Sequence, residues 1–284
     1  MNILVVGASG MIGSTMLRVM HEKFPTSVKG TVRDAGIARF FHPDVAAHLI
    51  AGVDAENNDS FVRVLEKVRP DVVINCAGLT KHKSGAEDPL ISIPINTLMP
   101  HKLSKLCALV GARFIHISTD CVYSGQRGLY REDDPADAED VYGKSKFLGE
   151  VSYPNSITLR TSTIGRELNS SYGLLDWFLA QKGSCKGYTK AIFSGLPTVL
   201  FSRIVRDIVI PNTDLSGLFH VSAEPIAKYD LLRLIAEAYR ISINIIPDNT
   251  LCIDRSLDSS KFYAATGYMS PGWEEIINIM RSYE

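Results

Sequence analysis

The sequence predicts a doubly wound, Rossmann-type α/β fold with a smaller C-terminal lobe. Three observations carry that expectation. A short apolar run ends in a glycine-rich turn at residues 7–13, strand-like and helix-like segments alternate with short connections through residue 165, and the rhythm changes beyond it. Residues 2–6 read as a strand, apolar from Ile3 to Val6 as in one buried on both faces of a parallel sheet. Residues 11–24 carry apolar side chains at helical spacing, and Pro25 ends that helix. Residues 28–32 form the second strand and 48–51 a weaker third, followed by a helix through Phe61, Val64, Leu65 and Val68. Pro70-Asp71 opens the strand at 72–75. Residues 90–110 are mostly helical, with Pro94 and Pro100 as boundaries or kinks, since proline lacks the N–H a helix interior uses. Residues 113–118 read as a strand, 142–151 as a helix and 156–160 as another strand.

The alternation fades after residue 165. A helix is expected over 174–181, an irregular stretch over 183–197, a strand over 218–222, a helix over 228–239 and a short terminal helix over 273–283. The expected organisation is a dinucleotide-binding domain at 1–165 and a mixed α/β substrate lobe at 166–284, with pieces of the lobe returning to the main sheet. Trp177 and Trp273 read as packing residues.

Bulk properties narrow the function classes. The 284 residues suffice for one large domain or two small ones, and 45% hydrophobic with 21% charged residues is ordinary for a globular chain. A net charge of −1 offers no global field for nucleic acid or an anionic membrane. The five cysteines (Cys76, Cys107, Cys121, Cys185, Cys252) are scattered and form no C-x-x-C pair, which points to a reducing compartment without a disulfide frame or zinc cluster. Seven histidines show no ligand spacing, so no metal site is expected. The apolar start lacks a basic leader and is too short to span a bilayer; a cytoplasmic protein without a membrane segment is expected.

The turn Gly7-Ala8-Ser9-Gly10-Met11-Ile12-Gly13 follows a strand and opens a helix. In that context Gly7 permits the tight turn, Gly10 lets the backbone approach a pyrophosphate, and Gly13 lets the helix pack on the sheet. The N–H groups of Ser9 to Gly13 would cradle the phosphates. The end of the second strand, Thr31-Val32-Arg33-Asp34, selects the cofactor: Arg33 suits a 2′-phosphate, so NADP is favoured over NAD. Asp34 stands one residue late for the NAD role and serves equally as a helix cap. Asp54 is placed to meet an adenine amino group or to close a turn. The small residues of Asn75-Cys76-Ala77-Gly78 either line the cofactor, Ala77 and Gly78 above all, or simply pack closely.

The chemistry is expected at mid-chain. Ser118-Thr119-Asp120 ends a strand on the sheet edge where open α/β sheets bind ligands. Tyr142 and Lys146 stand four positions apart on one helix face. A neighbouring ammonium favours the phenolate and makes the phenol a useful proton donor near neutral pH. Lys146 would also hold the nicotinamide ribose hydroxyls. Thr119 would hydrogen-bond a substrate oxygen and align it for hydride. Such Tyr-x-x-x-Lys pairs are common on helix surfaces; the position after a glycine turn and a Ser-Thr strand end is what marks this one.

Together these motifs make the chain resemble the extended short-chain dehydrogenase/reductase superfamily over essentially its whole length, and within it the dTDP-4-dehydrorhamnose reductase-like proteins. The likeness rests on Ser118-Thr119-Asp120-Cys121-Val122-Tyr123-Ser124-Gly125, on Tyr142-Gly143-Lys144-Ser145-Lys146 with Gly149-Glu150, and on Asp254-Arg255-Ser256-Leu257-Asp258 with Lys261-Phe262. The resemblance implies a nucleotide-sugar substrate whose 4-keto group is reduced with NAD(P)H at a Thr119/Tyr142/Lys146 site. It maps a diphosphate-binding arginine onto Arg255 and a helix asparagine near the active site onto Asn96, and it implies a homodimer through residues 90–110 and 142–151. Thr80, Asp120 and Cys121 fall on the substrate side. The family often has an aromatic residue where Cys121 stands and a proline where Ser256 stands, so the sugar need not be a rhamnose precursor. Related 4,6-dehydratases carry Asp-Glu after the threonine; Asp120-Cys121 supplies no such glutamate, which argues against water elimination.

Two other readings fit the same motifs: an epimerase that keeps NAD bound and returns the hydride, and a non-catalytic NADP-binding regulatory subunit. Cys121 has no local histidine partner and reads as a pocket-lining residue rather than a nucleophile. His82, between Lys81 and Lys83, reads as part of a solvated basic loop or as a phosphate contact, and the charged residues 125–140 as a loop able to fold over a sugar.

Overall fold

The computed structural model describes residues 1–81 and 85–283; the His82 expectation lies outside them. In chain order the strands are β1 (Ile3–Val6), β2 (Val28–Thr31), β3 (Leu49–Ile50), β4 (Val72–Asn75), β5 (Arg113–Thr119), β6 (Ser156–Thr161), β7 (Thr163–Ile164), β8 (Ser184–Phe193), β9 (Leu196–Pro197), β10 (Gly217–His220), β11 (Ile226–Ala227) and β12 (Asn244–Asp254). The α-helices are α1 (Met11–Lys23), α2 (Pro43–Ala46), α3 (Asn58–Val68), α4 (Pro89–Ser92), α5 (Met99–Leu109), α6 (Val141–Leu148), α7 (Leu174–Leu179), α8 (Thr198–Ile204), α9 (Lys228–Tyr239), α10 (Ser260–Thr266) and α11 (Trp273–Tyr283). Seven strands join one sheet in the order β10-β6-β5-β4-β1-β2-β3, which reverses at β1 and β4 as doubly wound sheets do. β1 pairs in parallel with β2 and with β4, and β4 with β5. The expected Rossmann-type sheet is therefore present.

The elements form for local reasons and are held by burial. Every residue of β1 and β4 is buried, matching the apolar composition of β1 and of β4 up to its last residue, Asn75. α1 turns Met16, Leu17, Val19 and Met20 inward, all fully buried. Gly30 on β2 admits that helix, because a Cβ there would lie 2.7 Å from Leu17. α3 starts on Asn57, whose side chain accepts from the N–H groups of Asp59 and Ser60. Leu4, Val73, Phe114, Leu65, Leu103 and Cys107 meet in the core between sheet and helices.

The chain groups into two compact units by contact. The first comprises Met1–Ser118, Glu139–Leu159 and Ser202–Leu218; the second comprises Thr119–Ala138, Arg160–Phe201 and Phe219–Glu284. The sequence suggests one cut near residue 165, whereas these units interleave. The second unit has its own core of Leu175, Phe178, Phe193, Leu231, Ile235 and Ile277.

Two local readings are corrected. Residues 183–197 are not irregular: Ser184–Phe193 is a ten-residue strand, paired in parallel with the eleven-residue β12, for which the sequence gives no strand at all. Pro247 and the turn-like Asp248-Asn249-Thr250 disguise β12, and the structure absorbs them in a register shift between Asp248 and Cys252. Residues 90–110 are helical as expected, in a relay of α4, a π-helical stretch at Ile93–Leu98 and α5, with Pro94 and Pro100 each near the start of a segment. Trp273 packs against the second core as expected, while Trp177 remains 39% exposed.

Candidate active site

In the first unit the glycine turn closes tightly on β4. Gly7 has φ +82°, and a Cβ there would lie 2.7 Å from the Ala77 backbone. A Cβ on Gly13 would lie 2.1 Å from the Gly7 carbonyl oxygen, so the first turn of α1 can rest on the loop only with glycine there. Gly10 differs, its nearest neighbour from a built Cβ being 3.6 Å away. It N-caps α1 without a side-chain cap, and the first turn, Met11, Ile12 and Gly13 included, carries no acid. Such an end suits an anion.

A groove of about 220 Å³ runs past this turn. Gly7, Ser9 and Gly10 line it at the turn, Arg33 and Asp54 at the ends of β2 and β3, and Ala77 and Gly78 after β4. Arg33 is exposed at the rim. Asp34 caps the following 3₁₀ turn, accepting from the Gly36 N–H at 2.9 Å. Asp54 accepts from the Glu56 N–H at 3.0 Å while still lining the groove. Cys76 lines it too, with burial pushing its thiol up to about 12. Thr80 is exposed just beyond. The uncapped helix end, the crowded glycines and the rim arginine fit a dinucleotide.

α6 begins at a side-chain cap: Asp140 accepts from the Gly143 N–H at 2.7 Å, setting Tyr142 in the first turn. Lys146, one turn on, is only 5% exposed. Its Nζ donates to the Ile117 carbonyl on β5 at 2.8 Å. Burial lowers this lysine to about 8, while Glu150 pulls it back up. Asn96 is buried in the π-helical stretch. Its Oδ1 accepts from the Leu79 N–H at 2.8 Å, and its Nδ2 donates to the Leu79 carbonyl at 3.0 Å and to Ser145 Oγ at 3.1 Å. Ser145 Oγ in turn donates to the Tyr142 carbonyl at 2.9 Å. Asn96 thus ties the groove wall to the helix of Tyr142. Ser118, on β5, points its hydroxyl into a 2.6 Å bond with Glu150 Oε1.

A polar pair lies behind Lys146. Asn75 Nδ2 and His116 Nδ1 are 3.1 Å apart, and Asn75 Oδ1 accepts from the Ala77 N–H. The amide therefore donates to the ring and leaves the proton on Nε2. Burial, with Lys146 nearby, holds His116 well below the usual histidine range.

In the second unit Thr119 Oγ1 donates to Asp120 Oδ1 and accepts from the Cys121 N–H, both at 3.1 Å. Burial raises the Asp120 carboxyl against the pull of Thr119 and Arg255. Arg255 Nε donates to the Tyr123 carbonyl at 2.7 Å, and its Nη1 reaches to 4.0 Å from Cys121 Sγ. Thr119, Asp120, Cys121 and Arg255 are therefore one cluster. Its support was not read from the sequence. Tyr130 Oη accepts from three successive N–H groups, Gly125, Gln126 and Arg127, at 3.1–3.2 Å, fastening the loop that packs on Arg255. Beneath it Tyr123, Arg160 and His220 form a buried polar network. The turn-forming Gly125 and Gly128 hinted at the loop; nothing local hinted at the network.

The sheet order, glycine turn and Tyr-x-x-x-Lys helix define a nucleotide-binding protein of the short-chain dehydrogenase/reductase kind. Residues 1–251 match the model of one family within it, and the chain belongs to that family, the RmlD substrate binding domain family. Among relatives, the spore coat polysaccharide biosynthesis protein SpsK of Bacillus subtilis is 36% identical over 255 residues, 87% of this chain and 83% of that protein. The dTDP-4-dehydrorhamnose reductase of Aggregatibacter actinomycetemcomitans is 24% identical over 99% of this chain and 98% of its own. In fold, the chain is similar to the crystal structure of dTDP-4-dehydrorhamnose reductase from Bacillus anthracis in complex with NADP, with a TM-score of 0.82 at 20% identity, covering 100% of this chain and 99% of that one.

Proposed function

We propose that this chain reduces the 4-keto group of a nucleotide-linked 6-deoxy sugar with NADPH, in the cytoplasm, as a step in deoxysugar synthesis for surface polysaccharide. Family membership and full-length relatives named as dTDP-4-dehydrorhamnose reductases support the reaction class. The observation that carries it is Lys146, buried and bonded to the Ile117 carbonyl one turn from Tyr142, in the unit that holds the glycine-lined groove. A buried lysine without work to do is costly.

In this reading the first unit binds cofactor and the second binds sugar nucleotide. Gly7, Ser9, Gly10, Met11, Ile12 and Gly13 hold the pyrophosphate through backbone N–H groups and the α1 end. Arg33 holds the 2′-phosphate, which favours NADP over NAD, and Asp54, Ala77 and Gly78 line the adenine and ribose path. Asn96 and Ser118 support this site through their internal bonds. When bound, the cofactor supplies hydride to the keto carbon. Tyr142 gives its proton to the keto oxygen, Thr119 hydrogen-bonds that oxygen, and Lys146 holds the ribose hydroxyls and steadies the phenolate left on Tyr142. Arg255 takes the nucleotide diphosphate, with Thr80, Asp120 and Cys121 along the sugar. Exposed Leu98, Phe147 and Leu148 support a homodimer through the helices of residues 90–110 and 142–151.

The test is turnover of NADPH against a panel of nucleotide-linked 4-keto-6-deoxy sugars. Consumption only with such a ketosugar, faster with NADPH than NADH, is the expected result, and Tyr142→Phe should lower turnover by about three orders of magnitude while leaving cofactor affinity intact. Undiminished turnover in that variant would refute the assignment. Cofactor that copurifies and is never consumed would turn the reading toward an epimerase.

A further inference from the structure

Glu150 has no part in the reaction as assigned above, yet it is anchored. It follows α6 directly and receives the Ser118 hydroxyl at 2.6 Å from the neighbouring strand end. The residue before it is equally constrained. A Cβ on Gly149 would lie 1.9 Å from the Asn96 carbonyl oxygen, so the end of α6 sits against the π-helical stretch with no room to shift. The carboxylate is thereby held just past the end of α6 beside Lys146, for the two side chains bond adjacent residues of β5, Glu150 the Ser118 hydroxyl and Lys146 the Ile117 carbonyl.

The groups around Lys146 explain why this matters. From the end of β4 comes the Cys76 thiol, kept neutral by burial. From β5 comes His116, kept neutral by burial and by Lys146 itself, with His101 of α5 adding to the same electrostatic effect. Tyr142 stands one turn back on the same helix. Among these, Glu150 alone offers a carboxylate. The Ile117 carbonyl accepts one hydrogen bond but carries no charge to offset the ammonium. Desolvation alone favours the neutral amine.

We propose that Glu150 is a positioning residue, the counter-charge that keeps Lys146 cationic, and that Ser118 is the clamp that holds Glu150 to this task. The inference rests on the assignment of Lys146 to the cofactor ribose and to Tyr142. It gives Ser118 a role beyond lining the site. The sign is fixed: a carboxylate nearby raises the pH at which the lysine loses its proton, so removing the charge brings that loss to lower pH. Lys146 already lies near 8 with Glu150 present.

The experiment compares pH profiles of turnover, and of NADPH affinity by fluorescence, for the full chain and for Glu150→Gln and Ser118→Ala. In Glu150→Gln the alkaline limb of both profiles should move down by about one pH unit, a loss of about tenfold on that limb with the neutral plateau largely kept. Ser118→Ala should move it in the same direction by less. A merely structural role would instead lower melting temperature and scale turnover equally at every pH. Alkaline limbs that stay in place in both variants overturn the proposal. If Glu150→Gln does not fold, Ser118→Ala decides by the same criterion. The outcomes separate from the assignment of the reaction: unmoved limbs with an inactive Tyr142→Phe defeat only the role of Glu150, whereas an active Tyr142→Phe defeats the assignment itself.

Discussion

The two units hold their site residues by opposite means. In the first, the glycine turn and the end of α6 are defined by what is missing: Gly7, Gly13 and Gly149 sit where any Cβ would meet backbone at 2.7, 2.1 and 1.9 Å. In the second, the cluster of Thr119, Asp120, Cys121 and Arg255 is defined by what is present. A fastened loop with Tyr130 Oη at its centre packs on Arg255, and a buried Tyr123–Arg160–His220 network lies beneath. A groove made of backbone presents much the same surface to any dinucleotide. A wall made of side chains can be altered one residue at a time, which suits the half to which the proposed function gives the sugar.

Substitutions sharpen this contrast. The largest effect is expected from Gly13→Val, whose side chain has no path except through the Gly7 carbonyl. NADPH binding should vanish and stability fall by more than about 3 kcal/mol, read by calorimetry and thermal melting. A folded, cofactor-binding Gly13→Val would show that the first unit yields more than its geometry suggests. Next comes Tyr130→Phe. It leaves three N–H groups without their shared acceptor, and each buried donor left unpaired costs about 1–3 kcal/mol unless water reaches it. The expected signature is a lower melting temperature and a raised KM for the sugar nucleotide with NADPH affinity unchanged. A change in NADPH affinity as large as that in KM would erase the distinction between the units.

The smallest effect is one of pH. Burial and Arg160 lower His220 from an ordinary 6.5 to about 3. Between those values the unfolded chain binds a proton that the folded chain refuses. Stability therefore rises with pH through this window and is lost as pH falls below about 6.5. His116 in the first unit adds to the same slope. Melting temperature should drop steadily on acidification, and His220→Gln should flatten part of that drop. An unchanged slope in His220→Gln would show that the buried network is not what makes the second unit acid-sensitive.

What could be read from the sequence follows the same divide. The glycine turn, the Tyr142–Lys146 helix and the buried strands depend on residues a few positions apart, and the sequence displays them directly. Asp140 as the cap of α6 was equally local, though the charged stretch around it hid the signal. β8 and β12 escaped notice because their pairing joins segments about 60 residues apart, and β12 carries a proline and a turn-like tripeptide. The Ser118–Glu150 bond and the Asn96 tie to Leu79 and Ser145 join residues separated by 32, 17 and 49 positions, and no local pattern announces them. Residue types fixed where chemistry could occur; the fold decided which side chains support it.

The interleaving of the units has a consequence for engineering. Each is assembled from three stretches of chain that alternate with those of the other. A single crossover with a relative anywhere between residues 119 and 218 splits both halves at once, and one nearer either end exchanges only part of one half. On the proposed function, exchanging sugar preference while keeping the glycine-turn groove therefore calls for a mosaic gene with several matched junctions, or for point changes around Arg255 and Cys121, rather than a terminal swap, which leaves Cys121 behind.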